Sequence, residues 1–197
     1  MKWQRRWRGW LNSLQTLVLA VALAALIRWV VAEPRYIPSG SMLPTLQLGD
    51  RLVVEKISHY WRDWQRGDIV VFAPPPALVS QGYRPDQVLI KRVVALPGET
   101  VEVKEGRVWV NGAPLDEPYE TTPAEYTWGP AVVPPGYLFV LGDNRNASND
   151  SHVWGFLDER LILGRAWVRF WPWPVRRYAT GNGVAWLVMG SPHLALG

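Results

Sequence analysis

The sequence contains no cysteine, and only 19% of its residues are charged. The first absence excludes a disulfide framework and a thiolate metal site. The low charge, with an aliphatic and aromatic content of 48%, excludes a chain that is disordered throughout. Internal repeats and low-complexity tracts are also absent. The 197 residues therefore fit one domain, or one domain with a small appendage.

The basic excess is confined to the N-terminus. Four basic residues, Lys2, Arg5, Arg6 and Arg8, equal the whole net charge of +4. The remaining 17 basic residues (21 minus these four) are balanced by 17 acidic residues. A nucleic-acid-binding domain would carry its basic excess on the folded part, so this distribution argues against one. A basic segment before an apolar run is typical of a membrane-inserted N-terminus.

That apolar run predicts a retained membrane anchor. Residues 17–27 are apolar without a break, and residues 14–32 form about 28 Å of helix, close to the roughly 30 Å of a hydrocarbon core. Arg28 lies close enough to the outer end to reach the interface. The positive-inside rule places residues 1–13 in the cytoplasm and the chain after the anchor outside. Two alternatives are a signal peptide cleaved after residues 30–32, which resemble a small-residue cleavage site, and a buried soluble helix.

The rest of the chain predicts a mainly β, mostly antiparallel fold. β-Branched and aromatic runs are separated by proline and glycine, and no apolar helical period exceeds two turns outside the anchor. Glu105-Gly106 and Asn111-Gly112 are turn signals, and residues 73–77 are a rigid connector. The predicted strands are residues 51–56, 69–72, 88–94, 100–104, 107–110, 137–141 and 161–170.

Residues 37–45 form a loop that could present a reactive serine. Pro38 and Pro44 restrict the backbone around Gly40, which permits close approach. A serine hydroxyl needs a base, and none of the three histidines lies in a recognisable nucleophile context.

Lys91 is the alternative base. In a regular strand, Leu89 and Val93 would flank its amine, and burial would lower its pKa from ~10.4 towards ~8. Arg92 would point to the opposite face and reach water. The competing interpretation is an ordinary strand lysine that extends into solvent.

The stretch of residues 142–155 is a polar loop that follows a predicted strand. Its Arg145, Asp143 and Asp150 are sufficient for a hydrogen-bonded ion network, although loops of this composition are often plain turns.

Together these stretches resemble the bacterial type I signal peptidases, membrane-bound serine proteases with a Ser/Lys dyad. The resemblance extends from the anchor to about residue 170. The motifs that carry it are Pro38-Ser39-Gly40-Ser41-Met42, Gly49-Asp50, Lys91-Arg92, Leu96-Pro97-Gly98-Glu99, and Gly142-Asp143-Asn144-Arg145 with Ser148 and Asp150.

The resemblance implies that Ser41 is the nucleophile and Lys91 the general base, with neither metal nor cofactor. Ser39 would complete the oxyanion hole and Ser148 would orient the lysine. Further support would come from Asp143, Arg145 and Asp150, and pockets for small substrate side chains would be lined by Ile37, Met42, Leu46 and Ile90.

The resemblance also implies the chain's organisation, location and substrates. The catalytic β domain would comprise residues 33–98 and 137–180, with a small β subdomain inserted at residues 99–136 and a tail at residues 181–197. The enzyme would sit in the bacterial cytoplasmic membrane with its catalytic domain outside. It would remove the signal peptides of exported preproteins there.

The chain departs from the family at one place. His152 and Val153 stand where the family commonly has arginine and an aromatic residue, so the resemblance leaves the partner of Asp150 open. Two other functions compete: a self-cleaving repressor-type protease, which would need a DNA-binding domain, and a membrane-tethered, non-enzymatic β-rich binding module.

Overall fold

The structure is a computed structural model that describes residues 2–119, 122–172 and 176–177. Its description of side chains omits residues 2–12, 29, 176 and 177. The predicted tail, residues 181–197, lies outside the described residues.

The chain begins with a long helix, α1, Lys2–Val30. Its described large apolar side chains, from Leu14 to Val30, are all exposed. Among the residues that the structure describes, no helix combines the length and the apolar content that a membrane crossing requires. The predicted span over residues 14–32 stays a prediction, and its last residue, Ala32, begins the first strand.

Short strands make up most of the remaining regular structure. The strands are β1 Ala32–Tyr36, β2 Arg51–Glu55, β3 Ile69–Phe72, β4 Leu89–Ala95, β5 Thr100–Lys104, β6 Arg107–Val110, β7 Ala113–Pro114, β8 Trp128–Val132, β9 Tyr137–Leu141, β10 Leu157–Asp158, β11 Ile162–Trp171 and β12 Arg176–Arg177. The helices are α2 Pro76–Ser80 and α3 Ser151–Trp154, with 3-10 helices at Ser58–Tyr60, Arg145–Ala147 and Glu159–Leu161.

The strands form two antiparallel sheets. The larger has the order β1-β2-β11-β3-β4-β9-β10, with β12 beside β11, and the smaller has the order β7-β6-β5-β8. Every described strand pairing is antiparallel. The predicted fold class, mainly β and mostly antiparallel, is confirmed. The predicted domain limits at residues 99 and 136 stay a prediction.

Both predicted turns connect strands of the smaller sheet. Glu105-Gly106 joins β5 to β6 and Asn111-Gly112 joins β6 to β7, each as a two-residue loop. All four residues have positive φ values, between 51° and 78°. This is the backbone of the hairpin turn that matches the twist of antiparallel strands, and it favours asparagine and glycine.

Two of the differences from the sequence prediction have a clear local cause. β1 was not predicted because its sequence, Ala-Glu-Pro-Arg-Tyr, has no alternating apolar pattern, yet it pairs with β2 along its whole length. The connector at residues 73–77 was wrong at its C-terminal end, where Pro76 starts α2. Proline fits the first turn of a helix because the amide hydrogen that it lacks has no partner there.

β4 lies inside the larger sheet, between β3 and β9, and is buried from Ile90 to Ala95. Such continuous burial is typical of a strand that is covered on both faces. Any charged side chain on β4 must therefore find its partners inside the protein.

Candidate active site

Ser41 lies in the loop that joins β1 to β2. Backbone hydrogen bonds close this loop at its ends, because Ile37 N donates to Asp50 O and Gly49 N donates to Ile37 O, each at 2.9 Å. A short helical turn follows the serine, with a bond of 2.9 Å from Leu46 N to the carbonyl of Met42.

Buried side chains of the serine loop itself hold it against the larger sheet. Met42 and Leu46 are fully buried in an apolar cluster with the larger sheet. The buried carboxylate of Asp50 accepts from Gln47 N at 2.9 Å and from Arg169 Nη1 at 3.3 Å. The partly exposed Ser41 is therefore presented on an anchored loop rather than a free one.

Lys91 reaches this serine from β4. Its Nζ lies 2.9 Å from Ser41 Oγ and donates to the carbonyl of Ile90 at 2.9 Å. Val70, opposite Lys91 on β3, packs in an apolar cluster with Val93. The lysine is only 4% exposed, and burial lowers its pKa from 10.5 to about 8, although the carboxylates of Asp150 and Asp143 act in the opposite direction.

Arg92 does not reach water, so that prediction is wrong. It is buried and forms a bidentate ion pair with Asp143, with distances of 2.8 Å and 2.5 Å. Its Nη1 also donates to the carbonyl of Gly67 at 3.0 Å, and its guanidinium carbon lies 3.7 Å from the centre of the Tyr119 ring. The prediction failed because residues distant in sequence cover this side of the strand.

The polar loop of residues 142–150 docks onto the serine loop. Asn144 N donates to the carbonyl of Ser41 and Asn144 Nδ2 donates to the carbonyl of Gly40, both at 3.1 Å. A Cβ atom added to Gly142 would clash with the carbonyl oxygen of Ser41 and would lie 2.6 Å from Ser148 Cβ. Glycine is thus required at this position for the two loops to approach each other.

Asp150 is the hydrogen-bonding centre of this loop. Its carboxylate caps α3 and accepts from Gly142 N at 2.9 Å. Its other oxygen lies 2.7 Å from Nδ1 of His152, whose ring stacks on Tyr126 at 4.0 Å between centroids. The partner of Asp150 that the resemblance left open is therefore His152.

Comparison with known proteins identifies the family. The profile described as "Signal peptidase, peptidase S26" matches residues 10–171. This chain belongs to that signal peptidase family.

Two relatives found by sequence agree with this assignment. A protein named probable signal peptidase I-1 from Synechocystis sp. is 55% identical over 166 residues, which cover 84% of this chain and 85% of that protein. The signal peptidase I of Bacillus licheniformis is 36% identical over 169 residues, covering 80% and 87% respectively. A crystal structure of a signal peptidase I from Enterococcus faecalis is 33% identical and covers 53% of this chain and 97% of its own, with a TM-score of 0.40.

Family membership makes this chain a serine endopeptidase of the signal peptidase I type, as predicted. The non-enzymatic binding module is therefore not supported. Within the described part of the chain, no cluster of three or more histidine, aspartate or glutamate side chains is arranged to hold a metal ion.

The two further serines that the signal peptidase resemblance singled out both lie near Ser41. Ser39 is exposed, and its Oγ is 3.4 Å from Ser41 Oγ. Ser148 packs against Gly142, and its buried Oγ has no hydrogen-bond partner among the described residues. This hydroxyl is therefore not hydrogen-bonded to Lys91 in the structure, and the role of Ser148 in orienting the lysine stays a prediction.

The four residues expected to line substrate pockets belong to one apolar cluster. Met42 and Leu46 have no exposed surface, whereas Ile37 and Ile90 are 3% and 8% exposed. The structure thus brings three residues of the serine loop together with Ile90 of β4, and two of the four lie entirely inside the core.

Glu117 and Tyr119, which complete the polar network, were not predicted from the sequence. Glu117 forms a bidentate ion pair with the fully buried Arg145, at 2.7 Å and 2.6 Å, and accepts from Tyr119 OH at 2.8 Å. Burial and the Glu117 carboxylate raise the pKa of Tyr119. Arg145 also donates to the carbonyl of Gly142 at 3.2 Å. The available signal was indirect: a polar loop with a buried arginine requires a carboxylate from elsewhere.

Proposed function

We propose that this signal peptidase cleaves preproteins with Ser41 as the nucleophile and Lys91 as the general base. The observation that carries the proposal is the 2.9 Å separation between Ser41 Oγ and a buried lysine amine whose pKa is lowered to about 8. A nucleophile and its base must lie within hydrogen-bonding distance, and the base must have a substantial neutral fraction at the working pH.

In this mechanism, the neutral Lys91 takes the Ser41 proton as Oγ attacks the peptide carbonyl. The lysine ammonium then gives that proton to the departing amine, which leaves an acyl group on Ser41. A water molecule, deprotonated by the same amine, hydrolyses the ester and restores the serine. Each proton that the lysine accepts is thus returned within one half-reaction.

The oxyanion of each tetrahedral intermediate would be stabilised by the hydroxyl of Ser39 and the backbone N–H of Ser41. The 3.4 Å distance between the two hydroxyl oxygens supports this assignment, because one substrate carbonyl could then meet both side chains. The unpartnered hydroxyl of Ser148 supports a role beside the lysine, because a buried donor without a partner is costly unless another state of the site satisfies it.

We further propose that small side chains of the substrate rest against Ile37 and Ile90. These residues retain slight exposure beside the serine and the lysine, and Met42 and Leu46 support them from below. Because this apolar cluster is well packed, its surface at Ile37 and Ile90 would offer shallow depressions instead of deep pockets. Shallow depressions would favour small substrate residues before the cleaved bond.

Residues 14–32 are proposed to anchor the enzyme in the bacterial cytoplasmic membrane, with the sheets on the outer side. The exposed apolar side chains of α1 support this location because they have no protein core to enter. Contacts at the C-terminal end of residues 14–32 support retention of the anchor in the mature enzyme. Val31 O accepts from Lys56 N at 2.9 Å, and Ala32 pairs with Glu55, so the bond after Ala32 lies within a paired strand and not in a free extended segment for a protease.

The proposal is tested by the processing of a preprotein in detergent by the wild type, Ser41→Ala and Lys91→Ala. Both variants should lose cleavage while keeping the circular dichroism spectrum of the folded protein. Lys104→Ala, a change at a partly exposed lysine on β5, is the matched control and should keep full activity. Normal turnover by Lys91→Ala would overturn the dyad.

A further inference from the structure

Asp150 connects a titratable surface residue to the interior of the site. One carboxylate oxygen lies 2.7 Å from Nδ1 of His152, and the other accepts from Gly142 N at 2.9 Å, next to the backbone of Ser41. Asp150 has no exposed surface, whereas the His152 side chain is 19% exposed and can exchange protons with water. A change in the charge of His152 therefore occurs in direct contact with a buried carboxylate of the site.

We propose that His152 is a positioning residue whose charge, acting through Asp150, extends the activity of the Ser41–Lys91 pair towards lower pH. This inference rests on the proposed function of Lys91.

The charges around Lys91 determine the direction in which His152 shifts the lysine pKa. The Asp150 carboxylate favours the charged form of Lys91 and so opposes the effect of burial on the lysine pKa. Imidazole side chains change charge between about pH 5 and pH 8. When His152 is protonated, it offsets the negative charge of Asp150, and Lys91 loses its proton more readily. When His152 is neutral, Asp150 again stabilises the ammonium.

Two other charged groups near these residues are paired. Asp143, which also favours the ammonium form of Lys91, is paired with Arg92, and the buried Arg145 is paired with Glu117. From the loop before β8, the ring of Tyr126 stacks on His152. His152 is thus the ionisable side chain in direct contact with Asp150 in the described part of the chain.

The first test compares the pH dependence of kcat/KM for the wild type, His152→Gln and His152→Arg. Glutamine can keep the hydrogen bond to Asp150 without a charge, and arginine carries a permanent charge. We expect His152→Arg to shift the lysine ionisation by about half a pH unit to lower pH, which is a gain of about threefold in neutral lysine on the acidic side. The wild-type profile should lie between those of His152→Gln and His152→Arg, because its imidazole can adopt either charge state.

Three superimposable profiles would overturn the inference. If Lys91→Ala is inactive and the profiles coincide, only the role of His152 fails. If Lys91→Ala retains turnover, the proposed function itself fails.

A second test does not depend on activity or on the folding of the arginine variant. Coupling between two sites is reciprocal, so the charge of Lys91 must also affect His152. With 13C-labelled histidine, Lys91→Met should move the pH midpoint of the His152 ring resonance upward by about half a unit. The two other histidines, His59 and His193, serve as internal references, and an unchanged His152 midpoint would overturn the inference.

Discussion

Replacing Lys91 by methionine is expected to stabilise the folded protein at neutral pH while it removes the activity. In the folded state the buried amine has a pKa of about 8 instead of 10.5, so below pH 8 the fold must hold an ammonium group that its surroundings disfavour. The unfolded chain binds the same proton more tightly. By linkage, this difference between the folded and unfolded pKa values of Lys91 destabilises the wild-type fold by about 3 kcal/mol at pH 7.

The substitution also removes favourable interactions. The amine contacts Ser41 Oγ and the carbonyl of Ile90, and loss of these bonds offsets about 1 kcal/mol of the gain. The net expectation is an increase of about 2 kcal/mol in the free energy of unfolding, or a melting temperature that is higher by roughly 4–8 °C for a chain of this size.

The assay is chemical denaturation in detergent at a series of pH values. A lowered lysine pKa destabilises the fold below its folded value, and this effect disappears as the pH rises from about 8 to 10.5. The advantage of Lys91→Met should therefore shrink over that range. Lys104→Met, at a partly exposed lysine, should show no such trend. An advantage that is missing at pH 7, or that is constant up to pH 10.5, would refute the reasoning.

Two other variants test the packing around the site. Gly142→Ala places a methyl group against the Ser41 carbonyl and should lower kcat about 100-fold, because displacement of the nucleophile by about 1 Å has effects of this size. Gly164→Ala is the control, because it makes a similar clash with the carbonyl of Glu55 away from the site. Equal losses of kcat in the two variants would contradict a specific displacement of Ser41 by the Gly142→Ala methyl group. Glu117→Gln leaves Arg145 buried without its ion pair and should lower the free energy of unfolding by about 3 kcal/mol, whereas Glu102→Gln, in a partly exposed pair, should cost under about 1 kcal/mol in the same denaturation assay.

The local features of the fold could be predicted from the sequence. Strands β3, β5, β6 and β9 begin and end where the β-branched runs do, because these runs are bounded by turn residues. β1 and β8 could not be found in this way. β1 contains Pro34 and two charged residues, and β8 contains Gly129-Pro130, so both owe their conformation to the strands beside them.

The same distinction, between features with a local sequence pattern and features that depend on distant residues, applies to the active site. The contact between Ser41 and Lys91 could be anticipated, since a constrained serine loop and a lysine among apolar strand residues each have a local pattern. The fate of Arg92 could not, because strand alternation indicates only which way a side chain points and not what covers that face. Tyr119, 27 residues further along the chain, provides this cover.

The pairing of the carboxylates explains how a neutral amine is compatible with an acidic loop. Unpaired carboxylates at these positions would hold Lys91 in its ammonium form and prevent it from accepting a proton. Asp143 is instead paired with Nε and Nη2 of Arg92, and Glu117 is paired with Arg145. In the described part of the chain, the side-chain partner of Asp150 is His152, which unlike an arginine can be neutral or charged. The two arginines therefore limit the negative charge that acts on Lys91, so that burial can lower the lysine pKa. The charge of His152 can then modify the remaining effect of Asp150 on that pKa.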